Sequence, residues 1–286
     1  MCIRDSAGSI YKKIRKSKGL SQNEICGTSI SRTTLSKFEN NKLSPSYDTM
    51  VYLLLQIDMN EEEFQFVCND FSYDLRDEII TLFFRQTSNL ETAQLSMLLE
   101  KGNRYLKKAD DIFIRNLMKI IQSLTLLTND QIEQIDCLPK IIISDVWSKL
   151  SKMDEWYYSE LRLTNSFMYY FPIETVLSFL PKLLETVEKY EKFTPMITIR
   201  LSILLNVGLL LIQNNHKEAA IPLLKEAIDL GKEAKRYDYL SIAKVRYAIC
   251  IDDYKVACEG FLLLEMTEEN DMLEHLKKEW AIFSSY

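Results

Sequence analysis

The stretch from Leu20 to Pro45, LSQNEICGTSISRTTLSKFENNKLSP, constrains the fold of this chain more than any other. It reads as two short helices joined by a sharp corner. Ser21 is placed to cap the first helix, and Glu24, three residues on, completes a capping box. Gly27 and the Thr28-Ser29 pair then stop it early, as a helix-turn-helix requires. Ser31 is placed to cap the second helix, in which Leu35 and Phe38 share one face. Arg32, Thr33, Ser36 and Lys37 are left on the other. A polar and basic helix face of this kind can hydrogen-bond base edges and phosphates in a major groove.

Charge supports that reading by its distribution. The formal net charge of -6 would by itself argue against a nucleic-acid partner. Between Ile10 and Leu43, however, Lys12, Lys13, Arg15, Lys16, Lys18, Arg32, Lys37 and Lys42 stand against Glu24 and Glu39 alone. That segment is +6, and the remainder is -12 by difference. A basic head on an acidic body suits local phosphate binding.

The rest of the chain reads as helix throughout. Only 7 Gly and 6 Pro occur in 286 residues, too few turn formers for a strand-rich fold, and 47% hydrophobic residues supply a large core. The opening MCIRDSAGS has no helical periodicity and reads either as a frayed tail or as a wrongly assigned start. A short basic helix follows from Ile10 to Lys18, with Gly19 at its C-terminal cap. Ser46 is placed to cap an apolar helix through Gln56 containing Tyr47, Met50, Val51, Leu53 and Leu54. A last helix starts near Asn60, where Glu61, Glu62 and Glu63 suit the positive end of the macrodipole and Phe64 and Val67 face inward. These five helices define a first domain, 1–67, followed by a linker, 68–77.

From residue 78 to 286 every segment has helical periodicity. The expected helices are Ile79–Thr87, Leu90–Leu106, Asp110–Leu127, Asp130–Leu150, Asp154–Tyr170 and Pro172–Glu191, then Pro195–Asn214, Lys217–Ala234, Tyr237–Ile251, Tyr254–Met266 and Glu268–Phe283. Polar pairs such as Ser88-Asn89, Lys107-Lys108 and Thr128-Asn129 mark the breaks. A weak repeat is visible: Asn215-His216-Lys217-Glu218-Ala219 aligns with Asp253-Tyr254-Lys255-Val256-Ala257, 38 residues on, and Tyr170-Phe171-Pro172-Ile173-Glu174 precedes both. Periods in this range suit paired-helix repeats of the tetratricopeptide type, with Ala at the tight crossing.

The pattern L-S-x-x-E-I…I-S…L-S-x-x-E-N…P is carried by Leu20, Ser21, Glu24, Ile25, Ile30, Ser31, Leu35, Ser36, Glu39, Asn40 and Pro45. It resembles the lambda-repressor-like (XRE) helix-turn-helix family. The variant LSKFENNKLSPS, with Phe38 before Glu39, resembles more narrowly the Rgg/GadR/MutR regulators of Gram-positive bacteria. Cys26 departs from the Ala usual there. The resemblance implies an all-α protein: a five-helix DNA-binding head, then an irregular tetratricopeptide-like α-superhelix that receives short peptides taken into the cell.

The expected DNA contacts follow. Lys12, Arg15 and Lys16 are expected on phosphates, and Gln22 on a phosphate or a base. Arg32, Thr33, Ser36 and Lys37 provide direct readout, with Arg32 on a guanine edge, Ser31 joins the DNA-binding set at the start of that helix, and Asn40 and Asn41 reach the backbone. Glu39 reads as a structural partner for the first helix of the motif or for a basic side chain. In the repeats, Asn165 in ELRLTNSFMYYF and Asn206 in LSILLNVGLLLI are polar residues inside apolar helices. On a concave face their amides can pair with the backbone of an extended peptide, and Arg162, Tyr169, Arg200, Lys244 and Tyr247 can line the same groove. Equally, both amides can be core groups bonded to a neighbouring helix.

An enzyme has little support. His216 and His275 are the only histidines, neither with an assignable nucleophile, and no glycine-rich phosphate loop occurs. Cys2, Cys26, Cys68, Cys137, Cys250 and Cys258 are scattered without metal spacing, as in a reducing cytoplasm, and no metal or cofactor is expected. The most apolar run, Leu201 to Ile212, carries Ser202, Asn206 and Gly208 and is too short to span a bilayer, so no membrane partner is expected. The reading is a cytoplasmic, homodimeric transcription regulator that binds double-stranded operator DNA and answers to a peptide pheromone, with RNA polymerase a further partner. Two alternatives stay open: a helical-repeat scaffold for protein partners, and a regulator answering to a non-peptide signal.

Overall fold

The computed structural model describes residues 7–85, 92–128, 138–193 and 196–284, all of them helix, turn or loop. The chain divides into two compact units, 1–85 and 86–286. The first contains α1 (Ala7–Ser17), α2 (Gln22–Cys26), α3 (Arg32–Glu39), α4 (Tyr47–Gln56), α5 (Glu61–Cys68) and α6 (Leu75–Arg85). The unit boundary falls after α6, whereas the sequence suggests a new domain from residue 78.

The opening of the chain departs from expectation. Ala7, Gly8 and Ser9 belong to α1, and Gly8 is buried against the end of α3. A Cβ at Gly8 would lie 1.9 Å from the Phe38 carbonyl oxygen, so only glycine allows this approach. Ile10 and Tyr11 enter the core with Ile25, Leu35, Phe38, Leu53, Ile57 and Phe64. Tyr11 organises it: its ring meets Phe38 at 5.5 Å and Phe64 at 6.4 Å, and its hydroxyl donates to the Leu53 carbonyl at 2.9 Å. Gly19 ends α1 in the left-handed region, as its sequence position suggests. Ser46 and Asn60 cap α4 and α5 through the backbone N–H groups of Thr49 and Glu63.

The second unit contains α7 (Thr92–Leu106), α8 (Ile112–Thr128), α9 (Leu138–Leu150), α10 (Tyr158–Phe167), α11 (Ile173–Lys189), α12 (Met196–Gln213), α13 (Lys217–Glu233), α14 (Tyr237–Ile251), α15 (Tyr254–Met266) and α16 (Asn270–Phe283). The expected break at Ser88-Asn89, the helix start at Asp130, Cys2 and Cys137 lie outside the described residues. The helix expected over Asp154–Tyr170 is shorter. Its first residues form a turn in which buried Trp156 donates Nε1–H to the Leu150 carbonyl at 2.9 Å. Its last three, Met168–Tyr170, tighten into a 3-10 turn before extended Phe171 and Pro172.

From α10 onward helices stack in pairs. First helices pack on one another, α10 on α12, α12 on α14 and α14 on α16, while second helices approach each other less. The closely spaced side of such a stack is its inner side. The fourth residue of each second helix, Val176, Ala220 and Ala257, is fully buried at the crossing. The register therefore joins Ala220 to Ala257, one residue from the alignment suggested by sequence; Ala219 is exposed. By length and composition alone α12 could cross a membrane. Here it is the middle of the core, with Leu201, Ile203, Leu204 and Val207 fully buried.

Candidate nucleic-acid interface and groove

The helix-turn-helix is built as its caps predict. The Glu24 N–H donates to Ser21 Oγ at 3.2 Å, and the Ser21 N–H donates back to Glu24 Oε2 at 2.6 Å. Gly27 turns the chain at φ 46°. Ser31 Oγ accepts the Thr34 N–H at 3.0 Å, starting α3. Leu35 and Phe38 point into the core, which leaves Arg32, Thr33 and Lys37 exposed and Ser36 half-buried. Asn41 ends α3 in the left-handed region and donates Nδ2–H to Ser9 Oγ at 2.8 Å. Asn40 accepts from Lys12 Nζ at 3.0 Å, joining two expected backbone contacts into one patch. Lys16 is exposed beside it on α1.

Arg15 is not where a phosphate could reach it. It is buried, its Nε donating to Glu39 Oε1 at 2.5 Å and its Nη2 to Glu39 Oε2 at 3.0 Å, with Nη1 on the Leu20 carbonyl. The sequence shows a cation at the spacing of Lys12 and Lys16; only the packing of α1 on α3 reveals that this cation turns inward. Burial pushes the Glu39 carboxyl up, but the bonds from Arg15 and Gln22 outweigh that and hold it below the ordinary range. The same bonds hold Arg15 fully charged. Gln22 continues the chain of contacts: its Nε2–H donates to Glu39 Oε2 at 2.9 Å, and its Oε1 accepts from Arg32 Nε at 3.3 Å.

In the second unit the structure separates the expected groove residues into two sets. Asn165 on α10 and Asn206 on α12 meet: Asn206 Nδ2–H donates to Asn165 Oδ1 at 3.1 Å, and Asn165 Nδ2–H donates to Ser202 Oγ at 2.8 Å. All three are half-buried on the side where first helices pack together. Arg162 and exposed Tyr169 stand one turn either side of Asn165, the guanidinium 5.3 Å from the Tyr158 ring. Arg200, Lys244 and Tyr247 point instead to second helices. Arg200 pairs with Glu226 of α13 at 2.6 Å, Lys244 with Glu259 of α15, and Tyr247 faces Lys225 of α13 at 5.8 Å.

Two features of this unit escape sequence reasoning. Ser202 completes the amide cluster, and an isolated serine in an apolar run carries no signal for it. Arg246 on α14 is buried, donating to both carboxylate oxygens of Glu279 on α16 at 2.9 and 2.7 Å and to the Leu205 carbonyl of α12 at 3.0 Å. One side chain thus joins three successive first helices. His275 lies 3.2 Å from the same Glu279.

Residues 12–63 match the family model described as helix-turn-helix, and residues 142–255 match that of the C-terminal domain of the HTH-type transcriptional regulator Rgg. The two matched regions are those of an Rgg-type helix-turn-helix regulator. Solved structures of similar fold cover nearly the whole length of the chain. A Listeria monocytogenes EGD-e protein superposes with a TM-score of 0.73 at 19% identity, covering 97% of this chain and 96% of its own. The SHP pheromone receptor Rgg2 of Streptococcus dysgalactiae gives 0.65 at 13% identity, covering 96% and 98%. PlcR of Bacillus thuringiensis, solved with the peptide PapR7 and DNA, gives 0.56 at 19% identity, covering 93% and 98%. At such identities these likenesses establish the Rgg-type fold, and the residue roles rest on the geometry above.

Proposed function

We propose that this Rgg-type regulator reads operator DNA through α3 and binds a short peptide on the first-helix side of its repeats. The observation that carries the peptide reading is the Asn165–Ser202–Asn206 cluster. Three half-buried amide and hydroxyl groups bridge two first helices, next to Arg162 and Tyr169. Among the described residues no donor meets Asn206 Oδ1, so an extended peptide backbone N–H can use it. The Rgg2 and PlcR structures, a pheromone receptor and a peptide–DNA complex, support the same use of this fold. Functionally, residues 1–67 form the reader, 68–77 the link and 78–286 the sensor.

The protein works in the cytoplasm as a homodimer, because one α3 offers few base contacts and two-fold symmetry doubles them. Peptide binding biases the relation of the two heads, or their contact with RNA polymerase. The test is titration of the full chain with peptides encoded beside its gene. Asn206→Ala is expected to weaken binding about tenfold, the cost of a lost amide pairing. Unchanged affinity in that variant would remove the groove assignment. A chain that binds DNA but answers no peptide would point to a non-peptide signal.

A further inference from the structure

The contacts of Gln22 assign it a role that its sequence position does not show. An ionised carboxylate only accepts hydrogen bonds, so Glu39 must face the NH₂ group of the Gln22 amide. The amide oxygen is thereby turned away from the core and toward α3. There it accepts Arg32 Nε. With Nε occupied, the two terminal nitrogens of Arg32 are left as a fork beyond the exposed surface of α3. That fork matches the O6 and N7 acceptors of guanine in a major groove, and no other base presents two acceptors there.

We infer that Gln22 is a positioning residue for Arg32: clamped by the buried Arg15–Glu39 pair, it presets the guanidinium so that α3 selects a guanine in each half-site. The order of action runs from the core outward, Arg15 to Glu39, Glu39 to Gln22, Gln22 to Arg32. Lysine cannot replace Arg32 in this scheme, because an ammonium has no planar fork. This inference rests on the DNA-reading assignment, and deepens it by naming the base and the group that orients its reader.

The experiment is selection of a randomised duplex library by the full chain, comparing wild type with Gln22→Met, Arg32→Lys and the double variant. Wild type is expected to enrich a guanine at one position of each half-site. Arg32→Lys should lose that preference by at least about tenfold while the remaining positions stay selected. Gln22→Met, which keeps length and removes both hydrogen-bonding groups, should weaken the guanine preference at the same position only. The double variant should then behave as Arg32→Lys alone, because Gln22 acts through Arg32.

Uniform weakening in Gln22→Met, with a shallower salt dependence and an unchanged base profile, would mean that Gln22 holds a phosphate, and the inference falls. Undiminished guanine selection in Gln22→Met or in Arg32→Lys overturns it as well. If Gln22→Met melts early, Gln22→Ala, which leaves no long side chain to refit beside Glu39, is put through the same selection with the same expectations, and undiminished guanine selection there overturns the inference. A wild-type chain that enriches no sequence removes the DNA-reading assignment itself, an outcome distinct from the others.

Discussion

Two buried ion pairs anchor the two units, Arg15–Glu39 in the first and Arg246–Glu279 in the second. Neither is evidence of great stability, because burying two charges costs about as much as their attraction returns. Removing one partner is different, since the other charge stays buried and uncompensated, at a cost of about 3–5 kcal/mol. Glu279 makes a pH prediction. Burial pushes its carboxyl up, but Arg246 and His275 outweigh this and bring it from 4.5 to about 2. A depressed folded-state pKa stabilises the fold above the unfolded value and is lost as pH falls through the folded value. Stability on the order of 3 kcal/mol should therefore be present at neutral pH and disappear between pH 4.5 and about 2. Denaturant melts of wild type and Glu279→Gln should differ clearly at pH 7 and converge near pH 2. An equal gap at both pH values would show that the charge is irrelevant.

Helix ends and helix crossings carry the energetics of the elements. Among the described residues of the second unit, four helices stop at a residue in the left-handed region, Asn215, Lys235, Asp252 and Glu268, none of them glycine. In each case the following N–H reaches back five residues, as His216 does to the Leu211 carbonyl. Side chains such as Lys235 and Glu268 are strained there, so Lys235→Gly and Glu268→Gly should each raise stability by about 0.5–1 kcal/mol, read as a shift in melting midpoint. Crossings predict the opposite. A Cβ at Gly260 would lie 2.7 Å from Val245 Cγ2 and 2.9 Å from the Ser241 carbonyl oxygen. Backbone cannot step aside, so Gly260→Ala should cost about 1–3 kcal/mol despite better helix propensity. At Gly208 the obstacle is the end of the Leu224 side chain, at 2.8 Å, and Gly208→Ala should stay within about 1 kcal/mol of wild type. Equal losses at both glycines would sink the distinction.

At the scale of the whole molecule, charge separates the functions. Arg15 and Glu39 cancel inside the first unit, so residues 10–43 still show a net +6 to solvent, against -12 elsewhere. Lys12, Lys16 and Lys37 from each protomer of a dimer would neutralise about six phosphates. Operator affinity should then fall about 10³-fold between 50 and 200 mM salt, while affinity for the proposed peptide changes far less. Comparable salt dependence for both ligands would argue against separate sites on the two units.

Much of this was legible along the chain, because local chemistry carries it. Caps at Ser21, Ser31, Ser46 and Asn60, the corner at Gly27 and the helix spans of α13 to α15 depend on neighbours within a turn or two. The sequence by itself determined an all-helical chain with a basic helix-turn-helix head and stacked helical pairs behind it. What only the tertiary structure decided are the pairings of residues far apart. Arg15 and Lys16 are chemically alike and adjacent, yet one is buried on Glu39 and the other is exposed. Gly8 sits in an aperiodic opening and becomes indispensable only because Phe38 lies against it. Asn165 and Asn206 converge, while Arg200, Lys244 and Tyr247 turn to second helices. The reason is physical: capping and periodicity are short-range, whereas burial is a property of the surface an element meets.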